Sequence, residues 1–511
     1  MAYDKIVYLR KRFVKLQRIS ARSKKWWDSE LGEQLKVVRK EGRGGKGQGA
    51  KAHNPARWMR WKKEKAKMKV MVQKKKEECW RKFTEEYGEK DPWEVARLAR
   101  DPWRMKMSMR ELKNKEGESL EGDEEKEGAL AGRHFCWEEG GRPLEEKEEE
   151  REGPGYSVQE LVEKLRKALR GTSNTSAPGP DRISYRFIKA VVGTIFREEL
   201  LVQMAKQLEI GKAPSDWQLS KVVIIPKPGK DHTQLKVWRL INLINCMCKL
   251  GEKVVADELQ EAGLFHRHQY GSIKGRSAVE PVFREVVMAQ RALAKNGGVA
   301  WGMWDVKGGF QNAREEAVVG RCQKSERARR WTGYLKNFFR AREFTMEWDG
   351  IVRGRGKTNV GAPQGSPLSP VVFLIFMAPI LEAMEERVRV ATNLDMELPS
   401  YVDDILASVT DKRGRRNMDQ VMDQVDRIVN EVAEEWDLPL ELEKTERIVF
   451  RKKRKGKRKD AKWVKWLGII MDKDLLFDHH WKSRISKARK LLGAFSGVRS
   501  ANWGISPGSW H

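Results

Sequence analysis

From Ser157 onward the apolar positions fall into patterns that read as elements. Leu161, Val162, Leu165 and Leu169 recur at helical spacing. Ser157-Val-Gln-Glu160 ahead of them is a capping box and Gly171 behind them is a stop signal, so the pattern predicts one helix. A breaker-rich loop follows at Ser176 to Asp181. The short apolar run Val222 to Ile225 fits a strand, and Val299 to Val306 fits a buried strand that ends near Asp305. Strands alternating with helices predict an α+β fold. No internal repeat is present, and the longest apolar stretch, Val371 to Met377, is far shorter than a bilayer span.

Composition changes along the chain and sets the expected organisation. Residues 1–115 are dense in Lys, Arg and Trp, as in Lys24-Lys-Trp-Trp27 and Trp58-Met-Arg-Trp-Lys-Lys63, and predict a basic helical region. Aromatic rings interleaved with cations stack bases and hold phosphates, while Trp at helical spacing also packs helix on helix; the pattern is compatible with both. Residues 116–156 turn acidic and Gly-rich, as in Glu145-Glu-Lys-Glu-Glu-Glu150, with little apolar surface to offset ordering entropy, and predict a linker. A basic run from Arg451 to Lys459 lies between two strand-like segments and reads as a hairpin tip, whether phosphate-binding, a nuclear import signal or inert.

Over all 511 residues, 102 Lys and Arg against 73 Asp and Glu leave a formal charge of +29. Such a field attracts polyanions, so nucleic acid is the first partner to test, with a solvated basic surface as the alternative. Five cysteines without a CxxC pair argue against a disulfide scaffold and a structural zinc. The charged start lacks the apolar core of a secretory signal, which predicts a soluble, intracellular protein with no membrane partner.

The sharpest local chemistry is Tyr401-Val-Asp-Asp404, two adjacent acids inside an apolar stretch. Buried carboxylates repel each other and stay ionised only when cations compensate them, so a site for hard Mg²⁺ is one reading; a tight turn that exposes both acids is the other. Asp305 ends its own apolar segment and supplies a third carboxylate if the two strands lie side by side. Three carboxylates suit two metal ions and phosphoryl transfer.

The order of Asp305, then Gly361-Ala-Pro-Gln-Gly-Ser-Pro-Leu-Ser369, then Tyr401-Val-Asp-Asp404 resembles the palm of a reverse transcriptase, in particular that of non-LTR (LINE-type) retrotransposons. Other blocks are similar in order and spacing: Ser176-Ala-Pro-Gly-Pro-Asp181, Ile225-Pro-Lys-Pro-Gly-Lys-Asp231, Trp238-Arg-Leu-Ile-Asn-Leu243, Gln269-Tyr-Gly-Ser272, Glu443-Lys-Thr-Glu446 and Trp466-Leu-Gly-Ile469. The resemblance covers about two thirds of the chain. It implies a right-hand polymerase with fingers and a ferredoxin-like palm over residues 157–480, the start of a truncated thumb at 481–511, and a fragment without endonuclease. It further implies an RNA-directed DNA polymerase that uses two Mg²⁺ ions, dNTPs, template RNA and a DNA primer, and that works in the nucleus.

Residue by residue, the resemblance makes Asp305 and Asp403 the main catalytic metal ligands, with Asp404 beside them. Lys227 and Arg239 match cations that grip the incoming triphosphate. Phe310 matches the aromatic that excludes a 2′-hydroxyl, Gln364 and Gly365 a loop against the nucleotide and template, and Lys444 a proton donor near the pyrophosphate. Tyr401 opens the acidic turn at the substrate side. Two departures stand out: Gly309 and Gln311 replace the common Ala and Asp around Phe310, and Leu240 follows Arg239 where Pro is usual. These fit a drifting genomic copy, so a catalytically impaired nucleic-acid-binding remnant is the competing expectation.

Overall fold

The computed structural model describes residues 27–42, 55–88, 112–114, 117–120, 122–135, 155–193, 197–211, 219–227, 230–340, 342–348, 351–450 and 463–500. Described residues from Leu112 to His480 fall in one compact unit; two N-terminal helices and the residues from Trp481 fall in a second. The basic run 451–459 lies outside the described residues.

In the second unit, α1 (Ser29–Gly42) packs on α2 (Pro55–Gly88), whose first residue is a proline with the fixed φ of a helix start. Polar contacts join them: buried Gln34 donates to Glu64 at 2.8 Å, and Lys75 pairs with Asp28 at 2.7 Å and Glu30 at 3.0 Å. Trp58 and Trp61 are half-buried, and Lys62 and Lys65 sit 5.1 and 4.8 Å from their ring centres.

The first unit begins with a correction. Residues 123–134, expected within a linker, form helix α3 (Asp123–His134). Asp123, Glu124 and Glu125 occupy its first turn, where the helix dipole favours acids. Leu130 is fully buried in a cluster with Leu112, Val222, Trp238, Leu240, Phe344 and Met346. Composition averaged over the stretch hid one apolar face that a neighbouring sheet covers. Helix α4 (Val158–Arg170) follows as its pattern predicted, with the Ser157 hydroxyl accepting from the Glu160 amide and Glu160 reaching back to the Ser157 amide.

A four-stranded sheet is made by β1 (Ser220–Pro226), β2 (Trp238–Leu243), β4 (Arg342–Trp348) and β5 (Ile351–Thr358), in the order β2-β1-β4-β5; only the β1–β4 pair is parallel. Helices α5 (Cys246–Gln260), α6 (Val279–Ala294) and α7 (Thr332–Phe338) lie between its strands in sequence. The second sheet takes β3 (Gly298–Asp305), β6 (Asp395–Glu397), β7 (Ser400–Tyr401), β8 (Asp404–Asp411) and β9 (Glu446–Phe450) in the order β9-β3-β8-β6, with β7 also paired to β8. Helix α8 (Ser369–Thr392) follows β5 of the first sheet and leads into β6, and α9 (Met418–Glu435) connects β8 to β9. Outer strand last, first strand beside the third: that is the split βαβ order of a ferredoxin-like sheet. The chain is α+β, as expected.

Both faces of this sheet are covered, which explains the continuous apolar run of β3. Alternate residues point to opposite sides. Ala300 and Trp304 join Ile405, Ala407 and Val409 under α8 and α9, whereas Val299, Trp301 and Met303 join Leu406, Ile448 and Phe450 under α6 and a hairpin of β10 (Trp463–Trp466) and β11 (Ile469–Asp472). Helix α8 is buried nearly all round over its first three turns, fixing the helix side of the sheet. A last helix, α10 (Asp478–Ser500), begins at the end of the unit.

Candidate active site

The two central strands bring the acids together. β3 and β8 pair antiparallel over eight residues, and the last pair of the ladder sets Asp404 directly opposite Asp305. Asp404 also pairs with Tyr401, so Val402 and Asp403 form a two-residue turn. Val402 has φ +61°, an uncommon conformation for a β-branched residue. Surrounding contacts hold it: the Asp403 carbonyl accepts from the Val306 amide at 3.0 Å, and the Tyr270 amide donates to the Ser400 carbonyl at 2.9 Å. Gly271 lies so close to this turn that a Cβ there would meet the Val402 side chain at 2.6 Å. Gln269, fully buried, donates to the Leu374 carbonyl at 2.9 Å and anchors the same segment on α8.

All three acids are half-buried. Burial, and then the charges of Asp403 and Asp305, push Asp404 up to about 6. Asp403 is also raised, by burial first and by the neighbouring Asp305 charge. Asp305 accepts from the Lys444 ammonium at 2.6 Å, and Lys444 is bonded to Glu441 as well. Glu441, which sequence reasoning missed, sits here because its amide donates to the Asp305 carbonyl at 2.8 Å. No local signal in the sequence marks it.

Among the described residues, no three His, Cys, Asp or Glu side chains are already gathered in metal-holding geometry. Lys444 places a positive charge beside Asp305 instead. The donor chemistry still fits a hard divalent cation. The acids are all oxygen donors, and burial together with their mutual repulsion, which raise Asp403 and Asp404, is what such a cation offsets.

Lys227 follows β1, Arg239 lies on β2 and is exposed, and Lys227 is lowered by burial first, then by the charges of Arg239 and Lys444. These three cations therefore share one field. Phe310 packs edge-on to Phe373 of α8 at 5.8 Å, and its carbonyl accepts from the Ala362 amide at 2.8 Å. Gly309 faces the acids: a Cβ there would lie 3.7 Å from the Asp403 Cβ. Gln364 is half-buried and Gly365 exposed, and the Gln364 carbonyl accepts from the Asn242 amide at 2.7 Å. Gly365 has φ +138° and no room for a side chain, since a Cβ would meet the Asn242 carbonyl oxygen at 2.2 Å. Tyr401 is half-buried at the base of the turn.

Residues 225–471 match the family model described as reverse transcriptase (RNA-dependent DNA polymerase). Residues 225–471, just under half of the chain, are thus similar to a reverse transcriptase domain. Curated proteins similar to this chain come from mobile elements. A probable RNA-directed DNA polymerase from transposon X-element of Drosophila melanogaster is 22% identical over 65% of this chain and 38% of its own. The RNA-directed DNA polymerase from mobile element jockey of Drosophila funebris is 23% identical over 66% and 38%. A putative 115 kDa protein of the type-1 retrotransposable element R1DM of Drosophila melanogaster is 26% identical over 65% and 32%. The chain thus spans well under half the length of each. Among solved structures, apo telomerase from Candida tropicalis aligns with a TM-score of 0.37 and 14% identity over 52% of this chain and 48% of that one. No described helix is long and apolar enough to cross a membrane.

Proposed function

We propose that this chain is an RNA-directed DNA polymerase of a non-LTR retrotransposon, which extends a primer 3′-hydroxyl with dNTPs on an RNA template. The observation that carries the reading is the meeting of Asp305 with Asp403 and Asp404 at one end of the β3–β8 ladder. In the reaction the 3′-oxygen attacks the α-phosphorus of the dNTP, its proton is lost, and the bond to pyrophosphate breaks. Two Mg²⁺ ions, held by Asp305 and Asp403, would supply charge neutralisation and activation of the 3′-hydroxyl. Asp404 adds negative charge beside them and fixes the turn through its ladder pairs. Lys227 as a point charge and Arg239 as a planar fork suit the triphosphate. Lys444, once released from Asp305, has an ammonium to donate to the departing pyrophosphate. The Phe310 ring under the sugar selects deoxynucleotides, and the Gln364-Gly365 loop offers a flat backbone face to the nucleotide and template. The nucleus is the place of work that this reading implies.

Primer extension with purified protein tests it. Dideoxy-terminated ladders on an RNA template are expected with wild type and absent with Asp403→Asn, while both bind primer–template alike. One observation favours the second reading, an impaired binding remnant: the ion pair of Lys444 with Asp305, beside the Gly309 and Gln311 departures. Tight binding with no extension by wild type would establish it.

A further inference from the structure

Beneath the Gly361 to Ser366 loop lies a cavity of about 40 Å³ lined by charged and aromatic side chains, among them Asn242, Cys248, Glu252, Phe338 and Arg342. Three of these residues, from three different elements, each hold the loop at a separate point. Arg342, the first residue of β4, donates through Nη2 to the Gly361 carbonyl. The Asn242 amide of β2 donates to the Gln364 carbonyl at 2.7 Å. Glu252 of α5, 4% exposed, accepts from the Ser366 hydroxyl at 2.8 Å, and the Cys248 thiol lies 3.5 Å from its other oxygen.

Buried charge is costly without a partner, and here the charges are opposite but not in direct contact. Burial pulls Arg342 down to about 10 and pushes Glu252 up, with each charge counteracting the other's shift. Arg342 Nε and Nη1 and Asn242 Oδ1 have no protein partner. They border the cavity that also reaches Glu252. A cavity of this size and polarity has room for bridging water, which needs roughly 10–15 Å³ of such space per molecule. The Arg342 guanidinium also lies 5.3 Å from the Phe338 ring centre, which fixes its plane. A buried Arg and Glu that contact the loop and nothing in the acidic site are poorly explained by stability alone, because replacing such a pair by apolar groups is often neutral or stabilising.

We propose that Arg342 and Glu252 are positioning residues that clamp the Gly361 to Ser366 loop from below and so set how it meets the incoming nucleotide. The kinetic part of this inference rests on the reading of that loop as a nucleotide-facing element; the clamp itself does not. Hydrogen exchange of the loop amides, measured on the purified full chain, separates the two. Ser366→Ala and Arg342→Lys are expected to speed exchange at residues 361–366 about tenfold or more, the scale of losing one hydrogen bond to a charged group. Exchange in β3 and β8 should stay as in wild type. In primer extension the same variants should raise the dNTP KM by about tenfold with primer–template affinity unchanged.

Arg342→Met leaves Glu252 buried alone and is expected to unfold the unit more readily; adding Glu252→Gln should restore the fold without restoring the loop's protection. Loop exchange unchanged in Ser366→Ala and Arg342→Lys overturns the clamp, whether or not wild type extends primers. Faster loop exchange with an unchanged dNTP KM in an active enzyme overturns the positioning role and leaves a structural one. Wild type that binds but does not extend overturns the proposed function while the exchange result still decides the clamp.

Discussion

Replacing Gly309 and Gly365 by alanine adds the same methyl group at two places near the site, and the structure assigns the two changes opposite signs. At Gly309 the backbone is one that any residue adopts, and the new Cβ would lie 3.6 Å from Phe373 and 3.7 Å from Asp403, ordinary contact distances. Alanine then restricts the unfolded chain more than glycine does, and the expected gain is about 0.4–1 kcal/mol. At Gly365 the φ of +138° disfavours any side chain, and the Cβ would fall 2.2 Å from the Asn242 carbonyl oxygen. Relief requires the loop to move off β2 and break the bond from the Asn242 amide to the Gln364 carbonyl. Strained backbone at roughly 1–3 kcal/mol plus a lost hydrogen bond near 1 kcal/mol gives about 2–4 kcal/mol of destabilisation. Urea denaturation followed by far-ultraviolet circular dichroism reads both variants on one scale. Gly365→Ala as stable as wild type would refute the packing of the loop on β2, and Gly309→Ala less stable than wild type would refute the packing described beside Asp403.

Four further outcomes follow from the same geometry. Because Asp404 titrates near 6 in the fold against 3.8 for the unperturbed group, the native state binds more protons between about pH 4 and 6; stability from this group therefore falls as pH rises through that window. Asp404→Asn should gain stability over wild type above about pH 6 and lose that gain below about pH 4, and Mg²⁺ should raise the wild-type melting temperature at neutral pH while leaving Asp403→Asn unmoved. Lys444→Met removes the proposed pyrophosphate donor, so kcat should drop by about 10²- to 10⁴-fold with the dNTP KM little changed, and the alkaline limb of the pH–rate profile should vanish; a retained limb assigns the proton elsewhere. Phe310→Ala should let ribonucleotides compete with deoxynucleotides in primer extension, and unaltered discrimination would show that the ring beside Phe373 does not gate the sugar.

Much of the palm was legible because its signals are local. The capping box at Ser157 and Glu160 lies within one helical turn, and the run from Val299 to Asp305 is apolar at nearly every position because both faces of β3 are covered. The acids stood out for the same reason: charge at the end of an apolar strand is conspicuous. What escaped depends on partners far away in sequence. Leu130 is one apolar residue among acids until Leu112 and Phe344 meet it. Glu441 reaches Asp305 through a backbone bond, and Arg342 and Glu252 act on a loop that begins 19 residues after one and over a hundred after the other. The pairing of Lys444 with Asp305 was equally invisible, since the family pattern supplies a role for the lysine without its resting partner.

The eight-residue ladder between β3 and β8 has a consequence for how this molecule fails. Alternation along a strand means that a shift of a single residue would turn Asp305 and Asp404 to opposite faces. Accuracy at the reactive end is therefore underwritten by Gly298 and Asp411 at the far end, where a Cβ on Gly298 would meet Met418 at 2.9 Å. Damage there silences the chemistry by misalignment, whereas loss of an acid silences it in an intact scaffold. Under the proposed function, a chain of the second kind would keep its fold and its basic surface while losing its reaction.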